Sequence, residues 1–307
     1  MQYLKKLESY QSDKRSAVTL GKFDALHRGH QKLLDQIRRY QSEDVVSIVC
    51  AFDMGKDSLL TAAQRQERLE GCVDCLIACE FTREIREMEA ETFIKEILIK
   101  RLKAAYIVVG TDFCFGYEKR GDVRMLEKYA AVYGYHLDVI EKETYDGKVI
   151  SSTYVKECLR EGNVGLAEKL LGYPYTVRGV VEHGRALGRT LGFPTMNIAW
   201  EEHKIAPRFG VYACRVSIET HIYHGIANVG VKPTVTREER LLTEVYVFGY
   251  AGNAYGKEIA VEFLEFERTE RRFGSAEELK AQVEQDIRFA KEYFAESEQK
   301  TQRGTGR

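Results

Sequence analysis

The apolar positions in the first half of the chain follow two alternating patterns. Short apolar runs, such as 45–52 and 106–109, are separated by stretches in which apolar residues recur at helical spacing, such as Leu33, Leu34 and Ile37. Continuous apolar runs are typical of strands buried on both faces, and the intervening stretches are typical of amphipathic helices. The first half therefore predicts an α/β domain with a parallel sheet and helices on both faces.

The pattern changes near Pro174, where short alternating runs replace the long helices. Several short strands in succession predict an antiparallel β-barrel. A capping box formed by Ser275 and Glu278 predicts the start of one long C-terminal helix, which is expected to end near Phe294. The predicted domains are 1–170 and 171–297, followed by a disordered polar tail at 298–307.

Composition narrows the classes of function. The formal net charge of the 307 residues is −1, so the chain has no overall positive charge that would attract nucleic acid or an anionic membrane. No apolar run has the length of a membrane span. An odd count of seven cysteines argues against a disulfide framework. Cys72, Cys75 and Cys79 are read as small apolar residues of a buried strand rather than as a metal cluster. We expect a reduced, cytoplasmic protein with no nucleic-acid or membrane partner.

The first motif lies where an apolar strand, 18–20, enters a helix through the turn Gly21 to Asp24 and the sequence His27-Arg28-Gly29-His30. A helix N-terminus attracts phosphate, imidazoles can donate hydrogen bonds to it, and a glycine permits its close approach. A pair of surface histidines or half of a zinc site is the alternative. The pattern resembles the nucleotidylyltransferase superfamily, which holds a triphosphate on a Rossmann-like sheet. The resemblance implies catalytic roles for His27 and His30, and ATP contacts from Gly21, Phe23, Asp24, His27, Gly29 and His30.

Two further motifs follow predicted strands. Residues 109–116 (VGTDFCFG) either supply aromatic walls for a flat ring or pack on the core, and 151–156 (SSTYVK) either form a second phosphate site or an ordinary helix cap. In this order the motifs resemble the adenylyltransferase domain of bacterial bifunctional riboflavin kinase/FAD synthetases. That resemblance implies flavin contacts from Asp112, Phe113 and Phe115, and ATP contacts from Ser151, Ser152, Thr153 and Lys156.

The second half carries the sequence GRTLGFPTMN at 188–197 and NVGVKPT at 228–234. Both resemble signatures of riboflavin kinases, with Glu244 on the strand that carries the family's catalytic glutamate. Thr195 and Asn197 supply hard oxygen ligands suited to Mg²⁺. The resemblance implies a flavin site at Asn228, Gly230, Glu244, Arg271 and Phe273. It implies an ATP site at Gly184, Arg185, Gly188, Arg189, Gly192, Pro194, Thr195 and Asn197.

Together the two resemblances imply a bifunctional transferase that uses ATP and Mg²⁺ to phosphorylate riboflavin to FMN and then adenylylates FMN to FAD. The chain departs from the family's pattern at Ala25 (usually Gly), at Lys156 (usually Arg) and at 52–56, where a His-Pro pair is missing. These departures favour an alternative, a riboflavin kinase with a catalytically weak or regulatory first domain. A transferase acting on another phosphorylated acceptor is a second alternative.

Overall fold

The structure is a computed structural model that describes residues 1–53, 55, 57–184, 188, 191–233 and 239–304. The chain separates into two compact units, Met1–Ser152 and Thr153–Arg307. This division assigns 153–170 to the second unit, whereas the sequence predicts a boundary at 170, and that boundary stays a prediction.

The first unit contains a parallel sheet, as predicted. Its strands are β1 (Gln2–Leu4), β2 (Arg15–Gly21), β3 (Val45–Asp53), β4 (Cys75–Glu80), β5 (Ala104–Gly110) and β8 (His136–Ile140), and the part of the sheet that the structure describes has the order β1-β4-β3-β2-β5-β8. Each neighbouring pair is parallel. The chain builds the sheet outward from β2 in one direction and then crosses back to place β5 on the other side. Ligands of such sheets bind at the carboxyl ends of the strands on either side of this switch point.

Helices and short hairpins connect these strands. The helices are α1 (Arg28–Arg39), α2 (Ala62–Leu69), α3 (Arg83–Glu87), α4 (Ala90–Thr92), which continues as a π-helical segment (Phe93–Arg101), and α5 (Val123–Tyr133). The short strands are β6 (Cys114–Phe115), β7 (Gly121–Asp122), β9 (Thr144–Tyr145) and β10 (Lys148–Val149). Thr61 and Gln64 form a capping box at the start of α2. Apolar residues of β2, β3, β4 and β5 meet the π-helical segment in one core, which includes Val18, Ile48, Ile77, Ile94 and Ile107.

The second unit forms an antiparallel sheet that curls into a barrel. After α6 (Ser152–Glu161) and α7 (Val164–Leu171) come β11 (Tyr175–Val180), β12 (Thr195–Ala199), β13 (Gly210–Ile218), β14 (His221–Pro233), β15 (Glu239–Val247) and β16 (Glu258–Thr269). The described strands have the order β11-β16-β13-β14-β15-β12. The two edge strands approach each other through an antiparallel bridge between Glu182 and Asn197, in which the Glu182 N–H donates to the Asn197 carbonyl at 2.8 Å.

A final helix, α8 (Ala276–Gly304), covers one face of this barrel. Ala290 and Phe294 of α8 pack against Val211 and Ala213 of β13 and Ile226 of β14. The helix continues to Gly304, beyond the end predicted near Phe294, so the described part of the predicted tail, 298–304, is helical. Most residues of this segment are strong helix formers, and Lys300 pairs with Glu296 one turn earlier at 3.8 Å.

Candidate active sites

The predicted phosphate motif lies at the switch point of the first sheet. Gly21 ends β2, and α1 begins at Arg28 with His27 as its N-cap. The Nδ1 atom of His27 accepts a hydrogen bond from the backbone N–H of His30 at 3.3 Å. Because Nδ1 is the acceptor, the proton of the neutral His27 ring resides on Nε2, which is therefore a donor.

The two histidines form one packed unit. Their rings stack with centroids 3.7 Å apart and an interplanar angle of 12°. The ring of Phe23, which is fully buried, lies 4.9 Å from the ring of His30. A Cβ on Gly29 would lie 3.2 Å from the His27 ring, so glycine gives the stacked pair its room. Phe23, predicted to contact ATP, packs against the His30 ring.

Burial keeps both imidazoles neutral. It lowers the pKa of His27 to about 4. The pKa of His30 is lowered well below its usual range by burial and by the neighbouring His27. Near pH 7 the pair can donate hydrogen bonds to a phosphate but does not neutralise its charge.

Asp24, another predicted ATP contact, anchors the turn. Its Oδ1 accepts the Leu59 N–H at 2.8 Å, and its carbonyl accepts the Leu60 N–H at 3.1 Å. Phe23 and Leu26 on either side have φ values of 44°, a conformation uncommon for residues other than glycine. The hydrogen bonds of Asp24 therefore hold a strained turn against the segment that follows β3.

Cations beside the histidines were missed by the sequence analysis. Arg28 and Lys32 lie one turn apart on α1, and both pair with Glu143, at 2.9 Å and 2.5 Å respectively. These contacts lower the pKa of Glu143. Arg28 lies between His27 and His30 in the first motif, and it could have been predicted as a site residue from that position. Glu143 follows β8, more than a hundred residues away, and no local pattern connects it with α1.

The predicted flavin loop follows β5. Phe113 stacks on Phe115 with centroids 5.6 Å apart, and Phe115 in turn contacts Phe93 of the core. Phe115 is buried, whereas Phe113 is only partly buried. The exposed carboxylate of Asp112 pairs with Lys142 at 2.7 Å. The loop thus offers Phe113 as the ring available to a ligand, with Phe115 as its support.

The second predicted phosphate motif lies at the start of α6. Ser152 and Thr153 are the first two residues of that helix, Ser151 immediately precedes it, and Lys156 follows one turn later. Hydroxyl groups therefore lie at a helix N-terminus, as the sequence predicted.

In the second unit, three predicted residues form a row across neighbouring strands. Glu244 on β15 is the register partner of Asn197 on β12 and also of Asn228 on β14. Register partners project to the same side of a sheet, about 5 Å apart. Thr195, two residues before Asn197 on the same strand, faces the same side.

Glycines allow the preceding segment to approach this row closely. A Cβ on Gly184 would lie 2.3 Å from the Asn197 amide nitrogen. A Cβ on Gly188 would lie 2.4 Å from the Phe193 carbonyl oxygen, and it would lie 3.4 Å from Thr195 Oγ1. Gly192 has φ +90°, which favours glycine, and precedes Phe193 and Pro194. The predicted ATP contacts Arg185 and Arg189, and Thr234 of the second kinase motif, lie outside the described residues.

The far end of the row meets the segment after β16. The Asn228 amide nitrogen donates to Glu270 Oε1 at 3.1 Å. Nearby, the guanidinium of Arg271 lies 4.7 Å from the centroid of the Phe273 ring. Glu270 was missed by the sequence analysis, although it directly precedes the predicted flavin contact Arg271.

A histidine pair at the switch point of a parallel sheet, together with an acid–amide row in an antiparallel barrel, defines a two-domain phosphate-handling transferase. Family models described as FAD synthetase and riboflavin kinase match residues 9–154 and 171–294 respectively. The chain belongs to the bifunctional riboflavin kinase/FMN adenylyltransferase family.

Relatives with that name match nearly the whole chain. The one from Haemophilus influenzae is 35% identical over 91% of this chain and 94% of its own length. The one from Escherichia coli K12 is 34% identical over 90% and 92% respectively. These matches confirm the family predicted from the motifs.

A crystal structure described as a macrolide-efflux protein from Streptococcus pneumoniae is also similar. It has a TM-score of 0.84 and 29% identity, and the match covers 94% of this chain and 98% of that one. In the part of this chain that the structure describes, none of the helices combines the length and apolar character needed to cross a bilayer.

Proposed function

We propose that this protein makes FMN from riboflavin in its second unit and FAD from FMN in its first, with ATP as co-substrate of both reactions. The row Asn197–Glu244–Asn228 carries the kinase assignment, because it places a carboxylate between two amides at the predicted site. The family models match both halves, which supports the bifunctional prediction over the kinase-only alternative.

In the kinase step, Glu244 accepts the proton of the riboflavin 5′-hydroxyl as that oxygen attacks the γ-phosphorus of ATP. The bond to the β,γ-bridging oxygen breaks and ADP leaves. Asn197 and Asn228 flank Glu244 and can hydrogen-bond the substrates on either side. Catalysis of this type depends mainly on position and electrostatics.

The residues present fit a bound Mg²⁺. Thr195 Oγ1 and the Asn197 side chain are neutral oxygen donors, and Mg²⁺ in kinases takes few protein ligands besides phosphate oxygens. The glycine-lined approach at Gly184 and Gly188 leaves space beside both donors. When bound, the ion would neutralise charge on the ATP phosphates. Thr195 and Asn197 would hold it.

In the adenylyltransferase step, a phosphate oxygen of FMN attacks the α-phosphorus of ATP and pyrophosphate leaves. The His27 Nε2–H and the His30 ring lie at the start of α1, where they can donate to the phosphoryl oxygens as charge accumulates. Since both rings are neutral, the positive charge must come from cations, and Arg28 and Lys32 on the same helix are suitably placed.

Two reciprocal variants test these assignments in the full chain. Glu244→Gln keeps the side-chain shape but removes the base, so we expect FMN formation to fall by about 10²-fold or more while supplied FMN is still converted to FAD. His30→Ala should lower the rate of FAD formation by about 10²-fold and leave the rate of FMN formation unchanged.

Each variant is the control for the other, and chromatography separates the products. Retention of most kinase activity by Glu244→Gln would show that the proton leaves by another route. FMN but no FAD from the unaltered protein would support the kinase-only alternative, and no flavin product would support another acceptor.

We also propose that the protein works in the cytoplasm. None of the seven cysteines, all of which lie in the described part of the chain, forms a disulfide bond, which supports a reducing compartment.

A further inference from the structure

The side-chain amide of Asn228 is satisfied at only one end. Its nitrogen donates to Glu270 Oε1 at 3.1 Å. Its oxygen, Oδ1, is buried without a hydrogen-bond partner among the described residues. Buried polar atoms are almost always paired, because an unpaired one loses its hydration and gains nothing in return. An orphaned oxygen inside a predicted substrate site indicates that a ligand supplies the missing donor.

Glu270 determines which end of the amide stays unpaired. A carboxylate can only accept, so it binds the NH₂ end and leaves the oxygen for the ligand. The backbone makes room for this contact at Gly230, where a Cβ would lie 2.3 Å from the Glu270 carboxylate. Gly230, predicted to contact flavin directly, therefore also admits Glu270 to the strand that carries Asn228.

The unpaired oxygen lies beside the proposed catalytic base. Asn228 and Glu244 are register partners on adjacent strands, which run about 5 Å apart. Two neighbouring acceptors match two neighbouring donors, and successive hydroxyl groups of a polyol chain have that spacing and chemistry.

We infer that Glu270 is a positioning residue of the kinase site, which orients Asn228 so that its oxygen accepts the ribityl hydroxyl next to the one that is phosphorylated. This inference rests on the proposed function of the second unit. It assigns the site a preference for a flavin side chain with two adjacent terminal hydroxyls.

The test compares Glu270→Ala with Glu270→Gln in the full chain, using riboflavin and 4′-deoxyriboflavin as substrates. Glu270→Ala should raise the KM for riboflavin about tenfold, the loss expected for one hydrogen bond, with little change in the KM for ATP. Glu270→Gln retains an acceptor oxygen and should stay within about threefold of the unaltered protein. With the deoxy substrate the hydroxyl is already absent, so Glu270→Ala and the unaltered protein should have the same KM.

Two controls separate positioning from damage to the fold. Glu258→Ala removes an exposed carboxylate at the opposite end of β16, the strand that leads into Glu270, and should leave all constants unchanged. Conversion of supplied FMN to FAD reports that the rest of the chain is intact.

Should Glu270→Ala fail to fold, Gly230→Ala replaces it, because its Cβ displaces the same carboxylate and should raise the KM for riboflavin similarly.

Three results would overturn the inference. The first is an unchanged riboflavin KM in Glu270→Ala, and the second is an equal rise of the riboflavin KM in Glu270→Gln. The third is that Glu270→Ala raises the KM for 4′-deoxyriboflavin as much as the KM for riboflavin. The last result would assign the hydrogen bond to another donor, such as the flavin ring N–H. Failure of the proposed function is a distinct result, since the unaltered protein would then form no FMN at all.

Discussion

The neutral state of His27 should make the first unit sensitive to acid. An unfolded histidine has a pKa of 6.5, whereas burial lowers the pKa of folded His27 to about 4. Between these values the unfolded chain binds more protons than the folded chain, so stability falls as the pH falls. Through this proton linkage, the free energy of unfolding falls by about 2 kcal/mol between pH 7 and pH 5, and by about 3 kcal/mol between pH 7 and pH 4.

His27→Asn isolates this effect. Asparagine is a strong N-cap residue, so it can still accept the His30 N–H, but it does not titrate. The variant should therefore match the unaltered protein at pH 7 and be more stable than it at pH 5. Hydrogen exchange measured peptide by peptide across β2 and α1 is the assay. The unaltered protein should exchange about 30-fold faster than the variant at pH 5.

Comparison at a single pH cancels the intrinsic pH dependence of exchange, and peptides of the second unit serve as an internal reference. Equal exchange in the two proteins at both pH values would refute the reasoning, since His27 would then titrate alike in the folded and unfolded chain.

Two further predictions follow from local geometry. Gly184→Ala places a Cβ 2.3 Å from the Asn197 amide nitrogen. We therefore expect kinase activity to fall by about 100-fold while FAD synthesis from FMN is retained. Equal kinase rates in the variant and the unaltered protein would contradict the close approach. Burial raises the pKa of Cys75 to about 12, whereas Cys114 is exposed. Iodoacetamide at pH 8 should therefore modify Cys114 and leave Cys75 unmodified. Mass spectrometry of the protein labelled in its native state checks this.

Local patterns allowed much of the fold to be predicted. The apolar run of β2 and the helical spacing of Leu33, Leu34 and Ile37 in α1 carry their own signals, so both elements lie where the first motif predicts them. The same holds for the capping box of α2, because its contacts span only three residues.

Elements that depend on distant partners were missed. β1 has three residues and is a strand only because it pairs with β4, more than seventy residues later. β12 mixes polar and apolar residues, and its extended form is fixed by pairing with β15. β1 is too short to show a periodicity, whereas the polar–apolar alternation at 195–198 of β12 is a strand signal that the sequence analysis did not use.

The candidate sites divide in the same way. Short signatures identified the histidine pair, Asn197 and Asn228, and the resemblance to riboflavin kinases identified Glu244 by the strand on which it lies. Glu143 and Glu270 act through contacts with Arg28 and Asn228 respectively, which are far away in the sequence. Such partners become visible only when the chain has folded.

The division into two units, each with its own sheet, has a genetic consequence. A lesion in the histidine pair and a lesion at Glu244 damage different units, and FMN is a diffusible product of one reaction and the substrate of the other. Two alleles that are each defective in FAD synthesis from riboflavin can therefore complement in trans: the His30→Ala protein supplies FMN, and the Glu244→Gln protein converts it to FAD. Alleles within one unit would not complement, so a cross of point mutants should fall into two complementation groups within a single gene.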